Sequence, residues 1–211
     1  MAAPAALSSW NFCTAKRVLD VVFSVLLLLA TSPLWLAAAA AIKLTSHGPV
    51  FFRQARSGQN GKEFRLLKFR SMVWKGAAGG PGLTQAGDRR VTRVGRLLRQ
   101  WKLDELPQLL NVLRGEMSLV GPRPDLPAYM AALPPSQSAV LSLRPGVTGA
   151  ASLTFRDEES VLGRVPADDL QRFYTEELLP QKAGMDLEYA RRASFLSDLG
   201  IIFRTAFRVL N

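Results

Sequence analysis

The sequence predicts a mainly helical α+β protein, and three observations along its 211 residues support that class. From Val21 to Ile42 there are 22 consecutive residues without a charge. Two strand-like segments surround the turn dipeptide Asn60-Gly61. Apolar residues recur at helical spacing between Phe195 and Leu210, which indicates an amphipathic helix. Such a helix can lie on a membrane surface or pack in the core, and the sequence leaves both open.

The apolar segment predicts a helix that enters a membrane. As one straight helix, its 22 residues would measure about 33 Å, enough to cross the hydrocarbon core. Ser32 and Pro33 lie in its middle, however, and a proline removes a backbone hydrogen bond and kinks a helix. Each half would then measure roughly 18 Å, which is too short to cross alone. We therefore predict a re-entrant helix that breaks at Ser32-Pro33 and returns to the same face; a kinked spanning helix and a cleaved signal peptide are the alternatives.

Charges on both sides of the apolar segment favour the re-entrant path. Lys16 and Arg17 precede the segment, and Lys43 follows it. Because Lys and Arg favour the cytoplasmic face, both ends are predicted to lie there. Asp20 at the start of the segment is tolerable near an interface but costly deeper in the membrane. The predicted organisation is an N-terminal tail, a re-entrant membrane helix and a cytoplasmic-face domain, over residues 1–15, 16–43 and 44–211 respectively.

The positive charge of the chain is concentrated in one segment. The formal net charge is +10, and residues 43–114 carry 15 Lys and Arg against 4 Asp and Glu, a net of +11. Residues 115–211 carry 10 against 12, a net of −2. Such a field attracts anions, namely nucleic acid, lipid headgroups or nucleotide phosphates. The single cysteine, Cys13, excludes an internal disulfide and a cysteine-rich metal site, and we interpret the single histidine, His47, as an interfacial turn residue.

Short-range patterns predict the secondary structure around this basic segment. Residues 49–55 and 62–70 are expected to form a β-hairpin, because Asn60-Gly61 is a strong turn signal. Residues 75–87 are rich in Gly and Ala and predict a mobile loop. We interpret the acidic, helix-like stretch 158–181 as a solvated scaffold.

A basic helix is predicted immediately before two adjacent acids. Between Val91 and Trp101, Arg93, Arg96 and Arg99 recur at every third position and therefore lie near one face of a helix. A solvated face is the ordinary interpretation of such a pattern. Because the helix leads directly into the acids, Arg96 and Arg99 are also candidates for binding phosphate.

Asp104 and Glu105 are the adjacent acids, and Pro107 follows them at a position that favours the first turn of a helix. The positive end of a helix dipole stabilises ionised carboxylates and also bound phosphate. The pair therefore predicts either a simple helix cap or a phosphate site. In a phosphate site, two acids can divide the chemistry, one attacking phosphorus and the other holding a divalent metal such as Mg²⁺.

A rigid turn downstream presents one more arginine. The compact turn Ser118–Asp125 contains Gly121-Pro122-Arg123-Pro124, and its two prolines restrict the chain on both sides of Arg123. A fixed guanidinium can bind phosphate through two hydrogen bonds. A second turn of similar character, Leu143–Gly149, carries Arg144, a weaker candidate for the same role. An acid pair in a basic segment, followed by a rigidly held arginine, indicates phosphate chemistry.

Eight short motifs occur in order between Lys16 and Gly149. They are Lys16-Arg-Val-Leu-Asp20, Ser32-Pro33, Gly48–Gln54, Lys68–Met72, Arg93–Arg99, Leu103–Leu113, Gly115–Pro124 and Arg144–Gly149. With these motifs, and a weaker one at Leu187–Ser194, the chain resembles the bacterial sugar transferase family, the monotopic phosphoglycosyl transferases that start glycan assembly on polyprenyl phosphate. Few residues precede Lys16, so the resemblance is to the minimal catalytic form of that family.

The resemblance implies a role for each candidate residue. Asp104 would be the nucleophile that takes the phosphosugar as a covalent intermediate, and Glu105 would bind Mg²⁺. Arg123 would hold phosphate, with Lys68 and Arg99 as supporting cations. The break in the re-entrant helix would let the chain turn back to the cytoplasmic face.

The resemblance also implies the reaction and its partners. A UDP-sugar would donate a sugar 1-phosphate to undecaprenyl phosphate, or another polyprenyl phosphate, with release of UMP at the cytoplasmic face of the bacterial inner membrane. Membrane lipid and downstream glycosyltransferases are further expected partners, and nucleic acid is not. The alternatives are a membrane-tethered nucleic-acid-binding protein without catalysis, for which stacking aromatics are sparse, and a phosphatase of lipid diphosphates. The residues do not identify the sugar.

Overall fold

The computed structural model describes residues 6–74 and 83–210 and confirms the mainly helical α+β class. The helices of these residues are α1 (Thr14–Thr45), α2 (Arg93–Gln100), α3 (Gln108–Arg114), α4 (Pro127–Met130), α5 (Ala150–Thr154), α6 (Glu158–Leu162), α7 (Leu170–Phe173), α8 (Leu179–Arg192) and α9 (Phe195–Leu210). The strands are β1 (Phe51–Ser57), β2 (Glu63–Phe69), β3 (Ser118–Val120) and β4 (Gly146–Thr148). A π-helical turn, Tyr174–Leu178, joins α7 to α8. The predicted loop 75–87 and the tail 1–15 fall partly outside the described residues.

One long helix, α1, contains the whole apolar segment. By length and composition it is the one helix of the described residues that could cross a membrane. The helix continues through Ser32 and Pro33, so the predicted break does not separate two helices. A local hydrogen bond explains why the helix continues. Pro33 has no N–H to donate to the carbonyl oxygen of Leu29, and Ser32 Oγ donates a 2.8 Å hydrogen bond to that oxygen instead. The re-entrant path through a membrane stays a prediction.

Both ends of α1 pack against the same domain. Near its start, Asp20 is buried, and its Oδ1 accepts a hydrogen bond from the N–H of Leu119 in β3. Near its end, Ile42 is 1% exposed and packs in a cluster with Phe69 of β2. The middle of the helix is uncovered, since Leu29 is 68% exposed. The domain therefore holds the helix at two separate places and leaves an apolar surface between them.

The predicted β-hairpin is confirmed. β1 and β2 pair in antiparallel register along their whole length. Asn60 and Gly61 make the turn with φ values of 58° and 72°, in the left-handed region that Gly adopts without strain and Asn tolerates. The second strand carries Lys68, one of the candidate cations, near its end.

A second sheet lies within the two segments that the sequence predicted as turns. β3 and β4 pair in parallel over three residues each. A Cβ atom on Gly121 would lie 2.4 Å from the carbonyl oxygen of Arg144, and one on Gly146 would lie 2.2 Å from the nitrogen of Gly121. Only glycine permits such close approach of two backbones. The segment that leads into Arg123 is therefore fixed on one side by main-chain packing.

The core lies between α3, the two sheets and α9. Its buried members are Phe64, Leu66, Leu109, Val112, Met117, Leu119, Val120 and Ile201. Helix α9 contributes Ile201 to this core, whereas Phe203 and Phe207 of the same helix are 65% and 69% exposed. Of the two roles that the sequence left open for this helix, core packing is confirmed for one face, and the other face is apolar and exposed.

The acidic stretch 158–181 is only partly the solvated scaffold that the sequence predicted. Tyr174, at the start of the π-helical turn, is 2% exposed. Pro180 lies just beyond this turn and has no N–H to donate to the carbonyl of Glu176, so the regular α-helical pattern cannot continue there. The stretch therefore also supplies buried groups to the domain, and the prediction of a solvated scaffold holds only for its exposed residues.

Candidate active site

Asp104 and Glu105 lie in a 3₁₀ turn, Leu103–Glu105, in the link between α2 and α3. Lys102, just before it, has a φ of 52°, a left-handed conformation that turns the chain sharply after α2. Helix α3 begins after Pro107, and no side chain caps it. The simple capping role that the sequence left open for the two acids is therefore not seen.

Glu105 is held between two cations. Its Oε1 accepts hydrogen bonds from Lys68 Nζ at 2.8 Å and from Arg123 Nη2 at 2.7 Å, and Arg123 Nη1 lies 3.4 Å from Oε2. Burial alone would raise the pKa of Glu105, but the charges and hydrogen bonds of Arg123 and Lys68 outweigh burial and hold that pKa well below its usual range. The same carboxylate raises the pKa of Arg123. Glu105 is therefore ionised at neutral pH.

Asp104 has a different environment. It is 4% exposed, and its Oδ1 has no hydrogen-bond partner among the described residues. Burial raises the pKa of Asp104 above its usual value, the charge of Lys68 opposes this shift, and the charge of Glu105 adds to it. A buried carboxylate with a perturbed pKa inside a cluster of charges is a candidate for chemistry rather than for structure.

The basic helix α2 is confirmed, and it brings one of its arginines to the acids. Arg99 interacts electrostatically with Asp104, and its Nη1 lies 3.3 Å from Glu159 Oε1. Arg96 is exposed on the same helix, and no contact of Arg96 with either acid is seen. Arg99 therefore belongs to the candidate site, whereas phosphate binding by Arg96 stays a prediction.

The structure does not bring Arg144 to the carboxylates. Arg144 interacts with Arg17 and Asp20 at the start of α1, and its Nε is buried without a partner among the described residues. It lines a small cavity together with Lys16 and Asp186. Arg144, the weaker phosphate candidate, thus lies beside the start of α1. It lies there because β4 pairs in parallel with β3, and Arg144 comes just before β4.

Four polar residues beside the candidate site were not predicted, namely the buried Asp125, Tyr174 and Lys182 and the partly buried Arg56. Arg56 Nη1 donates to Asp125 Oδ1 at 3.1 Å, and the hydroxyl of Tyr174 donates to Asp125 Oδ2. Lys182 Nζ donates to the hydroxyl of Tyr174 at 3.0 Å. Asp125 could have been found, because it lies two residues after Arg123 in a rigid turn. No local pattern distinguishes Tyr174 or Lys182.

The carboxylate oxygens of the site suit a magnesium ion that takes most of its ligands from water and substrate phosphates. Mg²⁺ prefers oxygen ligands, keeps several waters and is usually held by one or two carboxylates and substrate phosphates. Among residues 6–74 and 83–210, no group of three or more His, Cys, Asp or Glu could hold a metal ion. The two acids offer the partnerless Oδ1 of Asp104 and the weakly bonded Oε2 of Glu105.

Comparison with known proteins identifies relatives along most of the chain. A protein of Caulobacter vibrioides named UDP-glucose:undecaprenyl-phosphate glucose-1-phosphate transferase is 47% identical over 195 residues, which cover 90% of this chain and 67% of that relative. A UDP-N-acetylgalactosamine-undecaprenyl-phosphate N-acetylgalactosaminephosphotransferase of Aeromonas hydrophila is 37% identical over 198 residues, 92% of this chain but 43% of that relative. The exopolysaccharide production protein ExoY of Sinorhizobium fredii is 35% identical over 206 residues, with coverages of 90% and 83%. The model of bacterial sugar transferases matches residues 11–211, and the chain therefore belongs to the bacterial sugar transferase family.

Proposed function

We propose that this protein transfers a sugar 1-phosphate from a UDP-sugar to undecaprenyl phosphate and releases UMP. Membership of the family supports sugar transfer, and the names of the relatives support the nucleotide donor and the lipid acceptor. The observation that carries the proposal is the contrast between the two acids. Asp104 is buried with a partnerless oxygen, while Glu105 holds two cations beside it. Phosphoryl transfer through a covalent intermediate requires a nucleophile inside a positively charged cradle, and these residues supply both.

In the first half-reaction, an oxygen of Asp104 attacks the phosphorus atom that carries the sugar. An acyl phosphate bond forms, the phosphoanhydride bond breaks, and its electron pair leaves with UMP. Because burial raises the pKa of Asp104, the ionised carboxylate is poorly stabilised and correspondingly reactive. The positive charges of Lys68 and Arg99 oppose that shift and favour the ionised form.

In the second half-reaction, a phosphate oxygen of undecaprenyl phosphate attacks the same phosphorus atom. The acyl phosphate bond breaks, Asp104 returns to a carboxylate, and the product is an undecaprenyl diphosphate sugar. The order is ping-pong, since UMP leaves before the lipid reacts. The acceptor oxygen is already anionic, so neither half-reaction requires a general base. This agrees with a site built from carboxylates and cations.

Glu105 would also hold Mg²⁺, which when bound neutralises charge on the donor diphosphate. Glu105 is suited to this because it is ionised and is kept in place by Lys68 and Arg123. The side chain of Arg123 is 36% exposed, so its guanidinium can contact a phosphate while it still pairs with Glu105.

The apolar surface supports a location at the cytoplasmic face of the inner membrane. Leu29 and Leu36 in the middle of α1 are 68% and 75% exposed, and Phe203 of α9 is 65% exposed. Both ends of α1 pack on one domain, which favours a helix that enters and leaves the membrane at one face. A lipid acceptor requires this placement, because its phosphate lies at the membrane surface while its chain stays in the bilayer.

Glucose is the donor sugar to test first. The relative with 47% identity is named for glucose 1-phosphate transfer, and the relative named for N-acetylgalactosamine has 37% identity. The product, a lipid diphosphate that carries one sugar, is a substrate that downstream glycosyltransferases would extend into a polysaccharide.

A UMP-release assay tests the proposed function. The full chain in lipid nanodiscs, with Mg²⁺ and undecaprenyl phosphate, is expected to release UMP from at least one member of a panel of UDP-sugars. As a matched control, Glu188→Gln, which removes one member of an exposed ion pair with Arg192, should release UMP at the same rate as the wild type. A phosphatase of lipid diphosphates would release inorganic phosphate instead. Absence of UMP with every UDP-sugar would overturn the proposal.

A further inference from the structure

We propose that Tyr174 and Asp125 are positioning residues that hold Arg123 towards the donor diphosphate. This inference rests on the proposed function, in which Arg123 binds phosphate. Tyr174 and Asp125 have hydrogen bonds with other residues and none with Asp104 or Glu105, so they would act through the loop that carries Arg123.

Asp125 anchors that loop to β1. It is 6% exposed, and its Oδ1 accepts hydrogen bonds from Arg56 Nη1 at 3.1 Å and from the N–H of Leu126 at 2.8 Å. Its carbonyl oxygen accepts a third bond, of 2.9 Å, from the N–H of Ser57. These bonds fix the main chain two residues after Arg123. The close packing of Gly121 fixes it two residues before Arg123.

Tyr174 takes the remaining oxygen of Asp125. Its hydroxyl donates to Oδ2 and accepts a hydrogen bond from Lys182 Nζ, and Lys182 Nζ also lies 2.8 Å from Glu158 Oε2. Tyr174 is 2% exposed and Lys182 is 4% exposed. A continuous chain of polar contacts therefore runs from Arg56 to Glu158, buried at its centre around the hydroxyl of Tyr174 and partly buried at its two ends. Removal of one member of such a chain leaves its neighbours unsatisfied.

The hydroxyl of Tyr174 is not needed to hold its ring. The ring packs against Tyr129 with centroids 5.2 Å apart, and Lys182 Nζ lies 5.0 Å from the ring centroid. The side chain leaves the helix at the start of the π-helical turn, and such turns are rare and frequently occur at functional sites. A phenylalanine at this position would keep the packing and lose the hydrogen bonds to Asp125 and Lys182.

Arg123 is within electrostatic reach of this chain of contacts at both of its ends. Arg123 interacts with Glu158, and Arg56 interacts with both Arg123 and Glu105. Both ends of the chain of contacts therefore lie near Arg123. Without the Tyr174 hydroxyl as a donor to Asp125, the loop that carries Arg123 would be more mobile. The guanidinium of Arg123 would then spend less time in the geometry that binds phosphate through two hydrogen bonds.

Tyr174→Phe is the first variant to test. We expect kcat/KM for the UDP-sugar to fall about tenfold, since small displacements of a phosphate-binding group are costly for transfer. The matched control is Tyr189→Phe, which removes a partly buried tyrosine hydroxyl that donates to Asp198. Each variant loses the two hydrogen bonds of a tyrosine hydroxyl, and their Tm values should fall by similar amounts, but the control should keep its kcat/KM. Equal losses of kcat/KM in the two variants would overturn the inference.

A double-mutant cycle with Arg123→Ala decides whether Tyr174 acts through Arg123. If it does, Tyr174→Phe reduces kcat/KM in the wild-type background and has no further effect in the Arg123→Ala background. A tenfold loss in both backgrounds would mean a general structural role and would overturn the inference.

The affinity for UDP, measured by calorimetry on the same four proteins, gives a readout that does not require turnover. If the wild type releases no UMP from any UDP-sugar, the proposed function fails, and the UDP affinities still decide the inference. A loss of affinity that disappears without Arg123 supports the positioning role, and equal losses in both backgrounds contradict it. A wild-type protein that does not bind UDP would overturn both proposals.

Discussion

Asp104 and Glu105 are neighbours in the chain, yet the protein shifts their pKa values in opposite directions. Burial raises the pKa of Asp104, and Lys68 only partly opposes it. Against the effect of burial, Arg123 and Lys68 hold the pKa of Glu105 well below its usual range. Two adjacent carboxylates disfavour each other's ionised form, so the pKa of one of them is expected to rise. The placement of the cations beside Glu105 determines that it is the pKa of Asp104. This asymmetry is the basis for assigning attack to Asp104 and charge-holding to Glu105.

Asp104→Asn is expected to abolish UMP release and to leave the protein at least as stable as the wild type. The amide cannot form the acyl phosphate, so turnover should fall by about a thousandfold or more. The substitution also removes a buried charge whose Oδ1 has no partner, and such a charge reduces the stability of the folded state. UMP release and Tm measured on the same preparation check both parts. Near-normal turnover would refute the covalent scheme.

Glu105→Gln is expected to destabilise the protein by about 2–4 kcal/mol at pH 7, because Lys68 and Arg123 lose their counter-charge. This loss of stability is smaller than that expected for a fully buried ion pair, because the side chain of Arg123 is 36% exposed and solvent weakens its interaction with Glu105. The pKa of Glu105 is lowered in the folded state. The stability that its ionised form contributes is therefore present above the unfolded pKa of about 4.3 and is lost as the pH falls through the folded pKa. Urea unfolding at pH 7 and at pH 3 measures both effects.

The control for Glu105→Gln is Glu188→Gln. Glu188 and Arg192 form an ion pair whose side chains are 66% and 75% exposed, so its loss should change stability by less than about 0.5 kcal/mol. The acid-dependent loss of stability should also be smaller in Glu105→Gln than in the wild type. If the two variants were equally stable at pH 7, Glu105 would not be the counter-ion that stabilises Lys68 and Arg123 in the folded protein.

Much of the candidate site could be predicted because its signals are local. The acid pair, the arginine face of α2 and the rigid turn around Arg123 each occupy a few consecutive residues, and their geometry follows from spacing and from proline. Lys68 came from a family motif. The structure brings Arg123, Lys68 and Arg99 to the acids, as the sequence and the resemblance indicated together.

The position of Arg144 could not be predicted, because it depends on pairing between distant segments. Strands β3 and β4 have three residues each, too few to show an alternating pattern, and their register follows from the close approach of Gly121 and Gly146. The contact between Tyr174 and Asp125 likewise joins residues that are 49 positions apart. No short-range rule indicates which buried acceptor a tyrosine in an acidic helix will meet.

Asp186 is expected to make the stability of the protein depend on pH below neutrality. Burial raises its pKa to about 7, although the N–H of Ala151 and the charge of Lys182 oppose this shift. An unfolded aspartate titrates near pH 3.9, so the folded protein binds more protons between these values and loses stability as the pH rises through them. Asp186→Asn keeps an oxygen that can accept from Ala151 and should be more stable than the wild type by roughly 1–3 kcal/mol at pH 8.

The difference between Asp186→Asn and the wild type should vanish at pH 4, where Asp186 is protonated in the folded protein. Chemical unfolding at pH 4 and pH 8 therefore checks the sign of the effect. A gain in stability of equal size at both pH values would show that the ionisation of Asp186 is not its cause.

The path of α1 through the membrane can be tested with the single cysteine of the chain. Cys13 directly precedes α1 and is partly exposed. Since basic residues flank the apolar segment and both ends of α1 pack on one domain, we expect Cys13 to lie on the cytoplasmic side. A membrane-impermeant maleimide should then label it in inside-out vesicles and not in intact spheroplasts. The control is Ser138→Cys in a Cys13→Ser background, which reports the exposed surface of the domain and should show the same pattern. Labelling of Cys13 in spheroplasts, with the control unlabelled, would mean that α1 crosses the bilayer.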